Sequence, residues 1–286
     1  MSDFAAAAML RLVRLGLQRQ GLATPALTHA REPAPALVPL QDKRALLTAL
    51  MQQHCPAVLL RIGDAVLDAP DEPTLTALTL APDPADLLAR WQRLERFVHS
   101  RHRTRVLDTG PGRLRLQHVS LVPGQAPWPA EDLLVWGLLR GLMQRIGAQA
   151  LRCDVDAQDS ACASYHWCPA LTPTLHEPPA DALQAARAAL AADVAAPWTL
   201  ARLAVALGLS PRSLQRRLAA DGSSFSALWT AVRLAQSARL LAEGPASTAQ
   251  IGYCCGFADQ AHFTRRFRQH TALTPARYRA EFSASR

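Results

Sequence analysis

Long apolar runs are missing from this chain of 286 residues. Charged side chains interrupt every hydrophobic segment before the roughly 20 residues that a helical bilayer span requires. The opening "MSDFAAAAMLRLVRLGLQRQG" superficially looks like a secretory leader, but Asp3 comes early, and Arg11, Arg14 and Arg19 fall at near-helical spacing. It is expected to form an amphipathic helix over about 4–19, capped by Ser2 or Asp3, in a soluble cytoplasmic protein with no membrane partner. Cysteine is scarce as well. Cys55, Cys153, Cys162, Cys168, Cys254 and Cys255 include no CxxC pair, which excludes the disulfide framework of a small secreted scaffold. A catalytic constellation is also absent. His54 stands beside Cys55 with no partner acid placed by the sequence, and Gly110-Pro111-Gly112 is followed by neither a helix start nor Lys-Ser/Thr, so it is no phosphate loop. The chain is therefore expected to be no enzyme and to need no cofactor.

Negative charge is lacking in one place only. Residues 183–286 hold 13 arginines against five acidic residues, so the chain's whole net charge of +8 lies in that last third, and residues 1–182 sum to zero. A neutral module joined to a polyanion-binding one has this electrostatic footprint.

The two parts also differ in pattern. "WCPALTPTLHEPPAD", residues 167–181, carries four prolines and no periodicity, as an interdomain linker does. Before it, helical spacing at about 4–19, 41–54, 85–99 and 131–147 surrounds "RTRVLDTGPGRLRLQHVSL", which alternates on both sides of Gly110-Pro111-Gly112 as a β-hairpin does. This portion is α+β. After the linker every segment has helical spacing.

Within the basic part, "ALQAARAALAAD" reads as a helix, and "WTLARLAVALGLSPRSLQRRLAADG" then divides into two short helices. Thr199 caps the first, which buries Leu200, Leu203, Ala204 and Leu207, and Gly208 ends it; Ser210 caps the second, with Pro211 at its first position. On the second helix Leu214 and Leu218 point inward, while Arg212, Gln215, Arg216 and Arg217 point outward. Arginine grips guanine O6 and N7 together, and a glutamine amide does the same to adenine N6 and N7. A solvated helix face usually interleaves Glu with Arg, yet no acidic residue lies between Asp193 and Asp221. The arrangement returns in "ASTAQIGYCCGFADQAHFTRRFRQHT". Ile251 and Cys254 face inward, Gly256 forms the turn, Phe257 plugs the core and Asp259 caps a helix anchored by Phe263 and Phe267. Gln260, Ala261, Thr264, Arg265, Arg266 and Arg268 complete the outward set. Between the copies, "FSALWTAVRLAQSARLLAEG" is one long amphipathic helix whose buried positions are Phe225, Trp229, Val232, Ala235 or Leu234, and Leu240. About 18 residues at 1.5 Å each span roughly 27 Å, compatible with two recognition helices near the ~34 Å spacing of successive major grooves on one face of DNA.

Residues from about 183 to 281 resemble the DNA-binding domain of the AraC/XylS family of bacterial transcription regulators. "TLARLAVALGLSPRSLQRRL", "GSSF", "RLAQSARLL" and "IGYCCGFADQAHFTRRFRQHTALTPARYR" follow one another at the family's spacing. The resemblance implies base contacts by Arg212, Gln215 and Arg216 and by Gln260, Ala261 and Arg265, and phosphate contacts by Arg266 and Arg268. It also makes Cys254 and Cys255 small core fillers, and marks Ala272 as a departure, because the family usually has glycine there. Residues 21–165 resemble more patchily the effector domain of the ornithine-utilisation-like branch, through "VPLQDKRALLTALMQ", "LLRIGDAV", "RFVHSRHRTRVLDTGPGRLRLQHV" and "EDLLVWGLLRGLMQRIG". That resemblance implies a domain that senses a small-molecule effector or dimerises.

The expected architecture is thus an α+β regulatory domain at 1–167, a linker at 168–182, and an all-α DNA-binding domain at 183–286. Its helix-turn-helix motifs occupy 200–219 and 249–269 and are joined by the long helix. The expected partners are double-stranded operator DNA, RNA polymerase, a small effector and a second copy of the chain, with activation of transcription as the outcome. Two alternatives are a DNA-binding appendage of a cysteine-based repair enzyme and a nonspecific nucleic-acid-binding protein. The first lacks a reactive-cysteine pattern here; the second needs exposed stacking aromatics, whereas Phe225, Trp229, Phe263 and Phe267 lie on core-facing stripes. "RCDVDAQDSACASYHWC" gathers Cys153, Cys162, His166 and Cys168, with His176 beyond, but their spacing lacks the tight pairs of a zinc or copper site. No metal is expected; these residues are read as incidental to a domain edge or linker.

Overall fold

A computed structural model describes residues 3–23, 36–69, 72–170 and 182–283. Most of the proline-rich segment, 171–181, lies outside the described residues, as do Ser2 and His176. The chain forms two compact units.

Unit 1 is α+β. It opens with strand β1 (Phe4–Ala6) and helix α1 (Ala7–Arg19), continues through β2 (Leu37–Pro39) and α2 (Leu40–Gln53), and then through α3 (Ala57–Ile62) and a 3-10 turn (Gly63–Asp68). After helix α4 (Pro73–Thr79) come α5 (Pro84–Val98), β3 (His102–Gly110), β4 (Arg113–Ser120), α6 (Pro129–Arg145), β5 (Gln149–Val155) and β6 (Cys162–Cys168). The expected helices and hairpin are present with shifted ends. The first helix starts late: Phe4–Ala6 pairs with Leu37–Pro39 as an antiparallel ribbon, so α1 begins at Ala7 with no side-chain cap. Asp3 serves tertiary structure instead, pairing with Arg101 at 2.5 Å while its carbonyl accepts from the Leu40 amide.

The strands β3, β4, β6 and β5 form one antiparallel sheet in that order. The segment read as a domain edge or linker therefore supplies two of its strands, and β6 lies between two others. Cys153 pairs with Tyr165, so it shares that residue's face, whereas Cys162, His166 and Cys168 alternate onto the opposite face. The strand pleat keeps these four side chains from converging on one ion. Helix α6 buries Leu134, Trp136, Leu138 and Leu142, and the Tyr165 hydroxyl donates to the Trp136 carbonyl at 2.9 Å. Gly137 and Gly141 let α6 lie directly on the α3 segment: a Cβ on Gly137 would meet the Leu60 carbonyl oxygen at 2.3 Å.

The core of unit 1 contains charge. Lys43, Glu131 and Asp132 are 2%, 0% and 1% exposed, and His102 and His118 are equally buried. His118 Nδ1 lies 2.8 Å from Asp132. Burial, reinforced by the neighbouring cation Lys43, drives the His99 ring far below its usual acidity range; burial, opposed by Glu131, pushes His102 down to about 3.

Unit 2 is all helical: α7 (Ala182–Ala192), α8 (Leu200–Ala206), α9 (Pro211–Ala220), α10 (Phe225–Glu243), α11 (Thr248–Cys254), α12 (Gln260–Thr271) and α13 (Pro275–Phe282). Residues 72–77, at the start of α4, also pack within this unit. The Tyr278 hydroxyl accepts from the Ala77 amide at 2.9 Å, and the Thr74 hydroxyl donates to the His270 carbonyl at 3.3 Å. Under the first helix pair, Leu190, Leu203, Leu214, Leu218, Leu228 and Val232 form one cluster.

Helix α10 departs from its expected stripe. Val232 and Leu234 are buried, Leu228, Ser237, Ala238, Leu241 and Ala242 complete the set, Phe225 and Trp229 are half-buried against the same cluster, and Ala235 and Leu240 remain half-exposed. The reason is that α10 packs against α7, α11 and α13, so its buried positions spread beyond a single stripe. Likewise Cys255, not Cys254, is the buried filler; Cys254 is exposed.

Two consequences are testable. Ala272, at the end of α12, has φ 65°, a left-handed conformation that costs an L-residue with a Cβ. Ala272→Gly is expected to stabilise unit 2 by about 0.5–1 kcal/mol, and an unchanged or lowered Tm in thermal denaturation would contradict this. The histidines give a pH dependence with a definite sign. Their folded-state values lie below the ordinary 6.5, so the unfolded chain binds protons that the native state refuses. Their contribution is complete above about pH 6.5 and is lost on acidification, by up to roughly 1.4 kcal/mol per pH unit for each such ring. Thermal unfolding between pH 7.5 and 4.5 is expected to show a steeper loss in the wild type than in His102→Gln; equal slopes would contradict it.

Candidate nucleic-acid interface

The first helix pair is built as its sequence requires. The Thr199 hydroxyl accepts from the Arg202 amide at 3.1 Å, opening α8. Gly208, at φ 64°, turns the chain, and the Ser210 hydroxyl accepts from the Ser213 amide at 3.1 Å with Pro211 at the first position of α9. Leu214 and Leu218 are buried, which fixes the rotation of α9 about its axis. Arg212, Gln215, Arg216 and Arg217 are consequently all exposed, the first three at spacings that place them side by side.

The second pair repeats the plan. Ser247 and Gln250 form a reciprocal cap on α11, Gly256 takes φ 72° in the turn, and Asp259 accepts from the His262 amide at 2.6 Å to start α12. That bond holds the Asp259 carboxyl below its ordinary range. Phe263 and Phe267 are 0% exposed. They belong to an aromatic chain in which Phe257, Phe263, Phe267 and Tyr278 follow one another at ring separations of 5.0, 5.6 and 5.2 Å. Gln260, Ala261, Arg265 and Arg268 are exposed, and Thr264 and Arg266 are half-buried. Gln260 also donates to the Thr248 hydroxyl at 3.3 Å, bracing α12 against α11.

Counted from their caps, the two helices superimpose in sequence. Ser210 corresponds to Asp259, Leu214 and Leu218 to Phe263 and Phe267, and Arg216 to Arg265. Arg212, Arg216, Arg217, Arg265, Arg266 and Arg268 enter no ion pair among the described residues, whereas Arg239 and Arg277, elsewhere in unit 2, pair with Glu243 and Glu281. A row of guanidinium groups that form no ion pair among the described residues, with the Asp259 cap as the carboxylate near Arg265, is a predominantly cationic surface suited to an anion.

Some residues that shape this surface escaped the sequence reading. Arg233, on α10, donates through Nε to the Cys255 carbonyl at 2.6 Å and lies 4.1 Å from the Phe257 ring centroid. It pins the long helix to the turn that precedes α12. Its place at the half-buried edge of α10 gives no periodic signal. In unit 1 the grouping of Lys43, His99, His102 and Glu131 also went unseen, because its members come from four elements; only the His-x-x-His spacing within "RFVHSRHRTRV" hinted at it.

A family model described as "Helix-turn-helix domain" matches residues 203–281. The HTH-type transcriptional regulator GadX of Escherichia coli O6:H1 is 33% identical over 86 residues, covering 30% of this chain and 31% of that protein. The transcriptional regulator SirC of Salmonella typhimurium is 34% identical over 83 residues, covering 29% and 28%. A solved regulator from Chromobacterium violaceum, described by its AraC-type DNA-binding domain, is 29% identical over 37% of this chain and 95% of its own, with a TM-score of 0.35. The chain spans about a third of the length of the curated relatives it matches. With its paired helix-turn-helix units and this match along 203–281, the carboxy-terminal part of the chain is an AraC-type helix-turn-helix domain.

Proposed function

We propose that this protein is a sequence-specific, DNA-binding transcription regulator that works in the cytoplasm and catalyses no reaction. In this reading α9 and α12 enter adjacent major grooves on one face of double-stranded DNA. Arg212, Gln215 and Arg216 read bases from α9, and Gln260, Ala261, Thr264 and Arg265 read them from α12. Arg217, Arg266 and Arg268 grip phosphates. Unit 1 responds to a small effector or to a second copy of the chain and shifts the population of the DNA-competent state, and the bound protein activates transcription through RNA polymerase.

The observation that carries this reading is the duplicated helix face. Two helices with matching cap positions and matching buried anchors present arginines that enter no ion pair among the described residues. A nonspecific single-strand coat would display a run of stacking aromatics, and here Phe263 and Phe267 are fully enclosed, although Tyr253 is exposed.

Genomic fragments selected by the full-length protein supply the DNA for the test, with affinities compared at one stated salt concentration. Arg216→Ala and Arg265→Ala are each expected to weaken binding by about 1–3 kcal/mol and to relax preference at one base pair. Arg268→Ala is expected to weaken binding to selected and scrambled DNA alike. Equal weakening on every sequence by all three substitutions would overturn the division between base reading and phosphate anchoring.

A further inference from the structure

Unit 1 holds a partly open cavity of about 50 Å³ between α1, α2, α5, β3 and α6, with Glu95 and His118 also among its lining residues. On the same measure one water needs only roughly 10–15 Å³, so the space takes a small organic group. Its walls are mostly apolar, with Ala5, Met9, Leu94, Val98 and Val135 among them. One end is polar and unusually rich in donors. Lys43, the single lysine of the whole sequence, is buried there with its Nζ 3.3 Å from Glu131 Oε1 and 3.3 Å from His99 Nε2.

The ring of His99 has its tautomer fixed by the backbone. Its Nδ1 accepts from the amides of Arg101 and His102 at 3.3 and 3.1 Å, so the proton of the neutral ring sits on Nε2. That N–H faces the Lys43 nitrogen across 3.3 Å. Neither nitrogen of His102 has a hydrogen-bond partner, and Nδ1 is 3.8 Å from Glu131. The Glu131 carboxylate is the acceptor that faces this group, and it is shared, since its other oxygen takes Arg44 at 3.3 Å and the Trp128 amide at 3.2 Å. Donor hydrogens on Lys43, His99 and His102 thus outnumber their acceptors. The two cations, Lys43 and Arg44, face Glu131, and the buried Asp132 adds negative charge near Lys43. Unmade buried hydrogen bonds of this kind are costly, and each asks for a partner.

A metal ion is the first alternative, because the ligand atoms of His99, His102 and Glu131 all lie within 4.8 Å of one another. Two features oppose it. Lys43 already brings a positive charge into the space between His99 and Glu131, and His99 Nε2 would have to lose its proton while Nδ1 still accepts two amides. What the cluster leaves open is a partner for the nitrogens of His102 and for the N–H of His99.

We propose that this cavity is a binding site for a small, largely apolar monocarboxylate, its oxygens meeting Lys43 Nζ, His99 Nε2–H and His102, and its hydrocarbon lying along Met9, Leu94, Val98 and Val135. The site gives the effector of the preceding section a chemical class. Its role as a control element rests on that reading, although binding itself does not.

The single lysine makes the test direct. Full-length protein carrying ¹⁵Nζ-lysine has one lysine side-chain resonance, and it is titrated with straight-chain acids from butyrate to octanoate and with the matching alcohols. A saturable shift with one or more acids, and none with the alcohols, is expected. Lys43→Met is expected to weaken calorimetrically measured acid binding about tenfold or more. If that variant does not fold, His102→Phe, which keeps the ring volume and removes the polar atoms, takes its place. Absence of any shift, equal response to the alcohols, or a shift produced only by zinc would overturn the proposal. Saturable acid binding that leaves affinity for the selected DNA unchanged would uphold the site and overturn effector control through it.

Discussion

The arginine faces of this protein depend on what lies beneath them. Leu214 and Leu218 under α9, and Phe263 and Phe267 under α12, are the pegs that set each helix's rotation; with them buried, the guanidinium groups have no direction to point but outward. Burying such a side chain is worth on the order of 1.5–3 kcal/mol, well above the modest cost of displaying arginine to water. The caps then fix where each helix begins, so rotation and starting point together define the surface.

Between the two faces, α10 is more than a spacer. It packs against α7, α11 and α13, which explains why its buried positions spread over Leu228, Val232, Leu234, Ala238 and Leu241. Arg233 extends its influence by holding the Cys255 carbonyl and lying over Phe257. The second helix pair is therefore fastened to the same rod that supports the first. Unit 1 obeys a different rule: its sheet and α6 bury aromatic and aliphatic side chains, but near α5 and β3 the interior keeps lysine, histidine and glutamate.

Much of unit 2 was legible because its signals are local. Thr199, Ser210 and Asp259 cap the helices that follow them, Gly208 and Gly256 take left-handed turns, and the four-residue spacing of Phe263 and Phe267 places them on one face. Where burial depends on more than one neighbour the pattern is less legible, as with Leu240 on α10 and with Cys254. In unit 1 the hairpin at 102–120 was plain from its alternation around Gly110-Pro111-Gly112. Strands β5 and β6 were hidden because "RCDVDAQDSACASYHWC" carries too few β-branched residues to announce pairing. The 3-10 turn at Gly63–Asp68 and the packing of residues 72–77 against Tyr278 are tertiary facts with no periodic trace.

The central claim is that two braced helices lay their exposed sides into one stretch of duplex DNA. Hydroxyl-radical footprinting of the full-length protein on a selected fragment tests it most directly. Two protected tracts on the same face of the duplex, separated by about one helical turn of roughly 10–10.5 base pairs, are the result this account predicts; a single tract, or protection spread evenly along the fragment, would contradict it.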